Sequence, residues 1–323
     1  MGAACWCCSP GYEYWNDGVC CTCGRTGMKA LPAEKVAVVE GLVLHDSHAE
    51  VLAIRAFNRY LLSECHPNST VLSYNPGQQP PYSLHPHILL HLYASEAPCG
   101  DASMELIMSR QEDSTPWPEP RDQVHFRGRG YFSHLGIVRT KPGRADSPET
   151  LSKSCTDKLS MRCGLSLLLT PTALLVSPEG VYISSMVIPE SEYSETAVTR
   201  AFGKNGRMVG VAGADWGGGY RWHEMRIVTT KREFEFSRRR AGPKGCNVSA
   251  VVVKGVGEET VVGGVIGGRK PGAGWKAGSM ICRAKLWAVV KELSPVINVP
   301  AKSARKISYS EVKALPELEA RRK

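Results

Sequence analysis

The most regular hydrophobic pattern in the chain follows residue 50. Val51, Ile54, Phe57 and Leu61 recur at intervals of three or four residues, which places them on one side of a helix. The pattern predicts a helix over residues 51–62 with this side in the core. A mainly apolar run over residues 91–94 predicts a short buried strand. Between the two, residues 63–87 are rich in proline and are predicted to form a solvated loop.

The second half of the chain alternates helix and strand patterns. Residues 109–152 are irregular and rich in proline, glycine and arginine. The elements predicted after them are short strands over 173–186, a helix over 192–202, a pair of strands over 248–253 and 260–266, and helices over 282–293 and 303–318. This mixture is typical of an α/β protein.

Chemically active residues stand where two of these elements begin. His48 and Glu50 open the first helix, directly after Asp46 and Ser47, which are both good N-cap residues. Cys99 lies at a second strand-to-helix junction, where the helix dipole favours a thiolate. A His two positions before a Glu, followed by a Pro-Cys pair, is the pattern of the zinc-dependent nucleobase deaminases. We therefore predict a zinc site with His48 and Cys99 as ligands.

A catalytic zinc takes three protein ligands and keeps a fourth position for water, so one more ligand is needed. Compact deaminases supply it as the second Cys of Pro-Cys-x-x-Cys, but Ala102 stands at that place here. Cys155 follows a helix-capping Ser and precedes an apolar stretch, and we predict it as the third ligand. A buried structural cysteine is the alternative for Cys155. Cys163 is predicted to be a core residue.

Three segments together resemble a known family. Residues 48–50 (His-Ala-Glu), 98–101 (Pro-Cys-Gly-Asp) and 154–158 (Ser-Cys-Thr-Asp-Lys) look like the deaminase domain shared by RNA-editing adenosine deaminases and eukaryotic tRNA-specific adenosine deaminases. Residues 44–53 and 138–146 are similar to the tRNA branch in particular.

The resemblance implies a cytidine-deaminase-like three-layer α/β/α core with a C-terminal α+β extension. It implies one deaminase domain over residues 24–318, with the zinc core at about 24–170 and the extension at about 171–318. It also implies that Glu50 transfers protons while adenosine is converted to inosine. The implied substrate is the adenosine 3′ of the anticodon of alanine tRNA, recognised with the anticodon stem-loop.

Composition limits the size of the core, the location of the protein and the kind of partner that it binds. The chain has 323 residues, of which 42% are hydrophobic, enough for one large core or two modest ones. No apolar run reaches the roughly 20 residues that cross a bilayer, and the N-terminus lacks the features of a secretory signal. We expect an intracellular enzyme of the nucleus or cytoplasm, with no membrane partner. The net charge of +9 suits a polyanionic partner, here tRNA rather than DNA, or an ordinary solvated surface.

Cysteines crowd the beginning of the chain, where residues 1–23 hold six of the twelve. Their spacing does not form two clean Cys-x-x-Cys pairs, as structural zinc sites usually do. The region also resembles neither the N-terminal helix nor the strand that the family carries. Three interpretations stay open: an artefact of gene prediction or cloning, a disordered segment, and a metal-binding knuckle.

Basic residues near the predicted pocket are candidates for RNA contacts. Arg139, Lys141 and Arg144 lie in a glycine-containing loop that ends next to Cys155, and such a loop is able to follow a phosphate backbone. A plain surface loop is the alternative. Lys29 is carried over from a family motif near the bound nucleotide. Editors of long duplexes have a Gly-Glu pair in this loop, and its replacement by Pro-Gly-Arg at residues 142–144 favours a nucleotide that is already exposed.

The resemblance also implies inositol hexakisphosphate buried behind the zinc site. The residues that match its ligands are Arg55, Lys158, Arg283, Tyr309 and Lys313. A polyanion stabilises such a cation cluster, which otherwise faces a large desolvation cost. Surface cations without a ligand are the alternative.

Three other functions compete with tRNA deamination. A free nucleoside or cytidine deaminase is disfavoured because those chains are compact and carry Pro-Cys-x-x-Cys. An editor of double-stranded RNA shares the chemistry, although no double-strand-binding segment is visible in the sequence. A catalytically impaired RNA-binding paralogue is suggested by the unusual N-terminus.

Overall fold

The fold is known from a computed structural model. It describes residues 2–10, 19–26, 30–113, 115, 126–128, 131–141, 147–214, 216–241 and 247–293, with only the backbone for 2–10, 19–26, 238 and 241. The helices in these residues are α1 (Ala49–Ser63), α2 (Met104–Ser109), α3 (Cys155–Leu165), α4 (Glu195–Phe202), α5 (Arg238–Ala241) and α6 (Arg283–Leu293). The strands are β1 (Gly2–Pro10), β2 (Val19–Thr26), β3 (Leu72–Tyr74), β4 (Tyr82–Leu84), β5 (Ile88–Ala94), β6 (Phe126–Arg127), β7 (Arg139–Thr140), β8 (Ile183–Pro189), β9 (Arg226–Thr230), β10 (Val248–Val253), β11 (Gly257–Val262) and β12 (Val265–Ile266).

One mixed sheet organises the molecule. Its eight strands lie in the order β12-β11-β10-β2-β1-β5-β8-β9. The strands β5, β8 and β9 run parallel, and β1 pairs antiparallel with β5. Strands from both sides of the predicted boundary near residue 170 therefore join a single sheet. The α/β class predicted from the sequence is confirmed.

Helix α1 lies against β1, β2 and β10 and forms the centre of the core. Leu52, Phe57 and Leu61 are fully buried, and burial of each such side chain contributes about 1.5–3 kcal/mol. Val51, which the sequence pattern placed on the buried side, is only half-buried. Residues on more than one side of α1 are buried because α3 and α6 also pack against it.

The N-terminal segment differs from its prediction. Residues 2–10 and 19–26 form β1 and β2, which pair with each other and join β5 to β10 in the middle of the sheet. The interpretation of this segment as disordered is therefore wrong for these residues. The signal was missed because the partners of β1 in β5 lie far along the chain, from Ala94 opposite Ala4 to Ile88 opposite Pro10.

The proline-rich stretch also differs from its prediction. It contains the hairpin of β3 and β4, and its side chains Val71, Leu72, Tyr82 and Leu84 are buried in the core. A solvated loop was therefore the wrong prediction for residues 71–84. The helix predicted over residues 303–318 lies outside the described residues. Among the helices that are described, none is long and apolar enough to cross a membrane.

Candidate metal centre

Three side chains from distant parts of the chain meet at one point. The ligand atoms of His48, Cys99 and Cys155 all lie within 4.8 Å of one another. Nδ1 of His48 is 3.6 Å from Sγ of Cys99 and 3.5 Å from Sγ of Cys155. Tetrahedral zinc, with bonds of about 2.3 Å to sulfur and about 2.0–2.1 Å to nitrogen, places these two atom types about 3.6 Å apart. The geometry therefore fits a metal ion held by the predicted residues.

The start of α1 presents His48. This residue is itself the N-cap, with extended backbone angles of φ −67° and ψ 144°, and the helix begins at Ala49. Asp46, predicted as a capping residue, instead accepts a hydrogen bond from the His48 backbone N–H through Oδ1 at 3.0 Å. The imidazole consequently leaves the helix at its first turn and faces the two cysteines.

The start of α3 presents Cys155 as its first residue. The Ser154 side chain caps this helix by accepting a hydrogen bond from Asp157 N at 3.1 Å. The backbone N–H of Cys155 donates to Sγ of Cys99 at 3.3 Å. Hydrogen bonding with Cys155, together with the charges of Lys141 and His48, holds the pKa of the Cys99 thiol well below its usual range despite its burial. A thiolate at Cys99 is the form that binds a metal.

Gly100 allows the two cysteine segments to approach closely. Its φ of +108° lies in the region that favours glycine. A Cβ at this position would lie 2.3 Å from Oγ of Ser154, the capping residue of α3. The close contact between the Cys99 turn and the start of α3 therefore requires a residue without a side chain.

Glu50 lies beside the three ligands in the first turn of α1. Its side chain is buried, and Oε2 lies 3.2 Å from Sγ of Cys155. Burial and the neighbouring Cys99 raise the pKa of the Glu50 carboxyl. A buried carboxyl with a raised pKa is suited to accept and return protons. The sequence prediction of a carboxylate next to the metal ligands agrees with this placement.

Comparison with known proteins gives the family. The family model of the adenosine-deaminase (editase) domain matches residues 24–318. The chain belongs to the adenosine-deaminase (editase) domain family. Such a match makes it a deaminase, and the predicted resemblance is confirmed.

The editase domain is similar to proteins that act on two kinds of RNA. It is 37% identical over 286 residues to tRNA-specific adenosine deaminase 1 of Schizosaccharomyces pombe, a match that covers 85% of this chain and 73% of the relative. It is 37% identical over 188 residues to the protein of the same name from Saccharomyces cerevisiae, covering 52% and 45%. It is 31% identical over 181 residues to the double-stranded RNA-specific editase Adar of Drosophila melanogaster, covering 50% and 26%.

A buried ion pair supports the metal centre of this editase domain. Nζ of Lys141 donates to Oδ2 of Asp46 at 2.7 Å and to Sγ of Cys155 at 3.4 Å. Lys158 donates to the same Asp46 oxygen, which also accepts from Oγ of Ser152 at 2.6 Å. Although burial opposes it, the two lysines hold the pKa of Asp46 well below its usual range, and Asp46 and the cysteine sulfurs raise that of Lys141. Sequence reasoning missed this pair because it took Asp46 for a cap and Lys141 for an RNA ligand.

Two of the predicted RNA contacts are wrong in this structure. Arg139 is completely buried, and its guanidinium donates to the backbone oxygens of Gly128 at 3.1 Å, Tyr131 at 2.8 Å and His134. Lys141 is buried in the ion pair with Asp46. Neither side chain is available to a phosphate backbone, because both satisfy groups inside the domain.

The remaining predicted RNA contacts stay predictions. Lys29 and Arg144 both lie outside the described residues.

A cavity of about 820 Å³ adjoins the ion pair. Three of the residues predicted to bind inositol hexakisphosphate line it, namely Arg55, Lys158 and Arg283. His45 and Arg162, which were not predicted, line it too. The two other predicted ligands, Tyr309 and Lys313, lie outside the described residues.

The cavity has a mixed character. Apolar side chains from α1 and α3, among them Ile54 and Met161, share its wall with the cations. Arg55 donates from Nε to the backbone oxygen of Ile281 at 2.8 Å, which fixes α1 against the segment before α6. The cavity therefore holds several positive charges in a partly apolar enclosure.

Proposed function

We propose that this editase domain hydrolyses the 6-amino group of adenosine in tRNA and leaves inosine. The observation that carries the proposal is the convergence of His48, Cys99 and Cys155 beside the buried carboxyl of Glu50. The tRNA substrate is supported by the similarity to relatives named tRNA-specific adenosine deaminase 1. The product and the leaving group follow from the chemistry, since one water is consumed and one ammonia is released.

Zinc is the metal that we propose for the centre. One imidazole and two thiolates are donors that zinc prefers, and the three-ligand set matches that of catalytic zinc sites. When bound, zinc supplies Lewis-acid activation of water at neutral pH. Burial raises the pKa of the Cys155 thiol, and a bound metal would favour its thiolate. Lys141 would then compensate the thiolate charge, because its Nζ lies 3.4 Å from Sγ.

Glu50 moves the protons in the proposed reaction. It accepts the first proton of the attacking water and passes it to N1 of adenine. It then accepts the second proton from the new 6-hydroxyl group and passes it to the amino group, which departs as ammonia. Its position in the first turn of α1, next to Cys155, places the carboxyl at the edge of the ligand set. Its burial excludes competing solvent from the proton path.

Replacement of Glu50 by Gln tests the proposal. Glu50→Gln keeps the side-chain volume and removes the proton-accepting group, so turnover should fall by about 10²–10⁴-fold while zinc content is unchanged. Inosine is read by sequencing of incubated tRNA, and zinc by elemental mass spectrometry. Glu179→Gln, at an exposed turn, is the matched control and should change neither quantity. Full activity of Glu50→Gln would contradict the assignment.

The substrate position within tRNA is the finer part of the proposal. We place it at the adenosine 3′ of the anticodon of alanine tRNA, because residues 44–53 and 138–146 are similar to the tRNA branch of the family. Lys29 and Arg144 stay as proposed contacts to the anticodon stem-loop. Incubation with alanine tRNA, a long RNA duplex and free adenosine would decide among the substrate classes. Deamination of the duplex or the nucleoside alone would overturn this part.

Inositol hexakisphosphate is the ligand that we propose for the cavity. Arg162 supports it: its Nε is buried without a hydrogen-bond partner, and among the described residues no carboxylate pairs with it. Burial lowers the pKa of Arg162 to about 10. Arg55, Lys158 and Arg283 add positive charge to the same enclosure, and a polyphosphate would compensate it. Mass spectrometry of the ligand released from purified protein tests this directly.

The competing functions are less well supported. An RNA-binding paralogue without activity has no need of a complete ligand set and a buried Glu50, and both are present. The proposed location, nucleus or cytoplasm, follows from the proposed substrate, because tRNA is made and modified in these compartments.

A further inference from the structure

His45 is the one histidine that lines the cavity, as far as the described residues show. It precedes Asp46, the acceptor of the buried ion pair, and is half-buried. Its backbone oxygen accepts a hydrogen bond from Leu31 N at 2.8 Å, which fixes the main chain at this point. Within the described part of the chain, its imidazole forms no hydrogen bond. As far as the described residues show, both ring nitrogens are thus available to a ligand that enters the cavity.

Charges from three helices surround this imidazole. Arg55 comes from α1, Lys158 from α3 and Arg283 from α6, and the neighbouring Asp46 is the one acidic group among them. Burial, followed by the repulsion of Arg283, Arg55 and Lys158, lowers the pKa of His45 below its usual value. The imidazole is therefore neutral at pH 7 while the cavity holds no anion. A polyanion beside the three cations would offset this repulsion and favour the protonated form of His45.

We propose that His45 is a direct ligand of the polyanion in this cavity and takes up one proton from solvent as the anion binds. The proposal rests on the cavity being a polyanion site, as proposed above. A neutral imidazole donates one N–H, whereas an imidazolium donates two and adds a positive charge. The bound state gains a charge-assisted hydrogen bond of the kind that phosphate oxygens accept.

The proton taken up on binding can be assigned to His45 because the other ionisable residues that line the cavity do not titrate near neutral pH. The remaining ionisable side chains that line the cavity are Arg, Lys and Asp, whose ordinary pKa values lie far from neutrality. Among the described residues that line the cavity, His45 is then the side chain whose charge changes between about pH 6 and about pH 7.5, besides the ligand itself.

The experiment therefore uses an anion that does not titrate. Myo-inositol hexasulfate keeps its charge throughout this range, and its affinity for the 323-residue protein is measured by calorimetry at both pH values. We expect the wild-type protein to bind it about three- to tenfold more weakly at the higher pH, since one linked proton gives at most about tenfold per pH unit. His45→Asn, which keeps a hydrogen-bond donor but does not titrate, should show less than about a twofold change.

A matched control and a second readout complete the design. His223 also has a pKa lowered by burial and by Arg221, but it stacks on Tyr182 and does not line the cavity. His223→Asn should therefore keep the wild-type pH dependence. Calorimetry in buffers of different ionisation enthalpy should show proton uptake by the wild-type protein and its loss in His45→Asn.

The possible outcomes test the role of His45, the polyanion site and the deaminase activity separately. Equal pH dependence in the wild-type protein and His45→Asn would overturn the role of His45 while leaving the polyanion site in place. Absence of binding of both hexasulfate and hexakisphosphate to the wild-type protein would overturn the polyanion site and this proposal together. Deamination of tRNA is assayed separately, so it stands or fails independently of either result.

Discussion

The candidate metal centre and the cavity both adjoin Asp46 but differ in how their charges are balanced. In the metal centre, Lys141 and Cys155 lie in direct contact, and Asp46 accepts from Lys141 and Lys158. In the cavity, Arg162 is half-buried, its Nε is buried without a hydrogen-bond partner, and it has no carboxylate partner among the described residues. The first region is therefore pre-organised by contacts within the chain, whereas we propose that a polyanion completes the second. The difference predicts that mutations in the two regions respond differently to metal and to polyanions.

Loss of a metal ligand should have the largest effect. Cys155→Ser removes a thiolate from the centre, and we expect zinc content near zero and deamination lowered by more than about 10³-fold. Cys163→Ser is the matched control, because Cys163 is buried in the same helix without joining the cluster. Zinc content and inosine yield of both variants are measured side by side. Normal zinc in Cys155→Ser would remove Cys155 from the ligand set.

Breaking the buried ion pair should have the next largest effect. Asp46→Asn leaves Lys141 buried without its counter-charge, which should lower the free energy of unfolding by about 3–5 kcal/mol. The double variant Asp46→Asn with Lys141→Met removes both charges and should recover most of this loss. Urea denaturation measures both. If the double variant is as unstable as the single one, the loss does not arise from an uncompensated charge.

The cavity should respond to a polyanion instead. Arg162→Met removes a charge that has no carboxylate partner among the described residues, together with hydrogen bonds from Nη1 to the backbone oxygens of Ser166 and Leu168. In the protein without a polyanion we therefore expect a smaller stability loss than in Asp46→Asn. At a hexakisphosphate concentration of about 100 times Kd, the ligand adds about 2.7 kcal/mol of stability. A tenfold weaker affinity in Arg162→Met would reduce this gain by about 1.4 kcal/mol. Arg232→Met, on an exposed segment, is the control and should keep the full gain.

The smallest effect on stability is expected at a more exposed ion pair. Arg200 donates to both carboxylate oxygens of Glu105, at 2.5 and 3.0 Å. Although partial burial opposes it, this hydrogen bonding lowers the pKa of Glu105. The stabilisation is therefore present above the pKa of the unfolded chain and disappears as the pH falls through the folded-state pKa. Because the pair is partly exposed, Glu105→Gln should cost less than about 1 kcal/mol at neutral pH.

The pH dependence of that variant provides the check. The difference in unfolding free energy between the wild-type protein and Glu105→Gln should shrink below about pH 4, where carboxyls become protonated. A difference that persists in acid would point to packing rather than to charge. Asp101 also pairs with Arg200 at 2.9 Å, so we expect the arginine to keep one carboxylate partner in the variant.

The parts of the site that the sequence predicted are encoded locally. His48, Glu50, Cys99 and Cys155 each lie at the start of a helical segment, and helix starts are recognisable from a few neighbouring residues. The helices and the strand pair of residues 248–262 were also predictable, because their hydrophobic periods are intact.

The parts that were missed depend on distant partners. Asp46 and Lys141 are 95 residues apart, and nothing near Lys141 indicates that its charge is buried. The same holds for Arg139, whose basic, glycine-containing surroundings favour RNA binding although the side chain serves backbone oxygens. Strand β1 was missed because its cysteine-rich sequence lacks a clear alternating pattern and becomes a strand through pairing with β5.

Gly100 gives the metal centre an unusual kind of vulnerability. A single methyl group at this position would collide with Ser154. The short distance between the Cys99 and Cys155 segments therefore depends on the absence of a side chain at position 100. Saturation mutagenesis at position 100 should then yield no active clone, even though this residue neither binds metal nor transfers protons. Directed evolution of this domain would do better to leave position 100 unchanged and to vary the walls of the cavity.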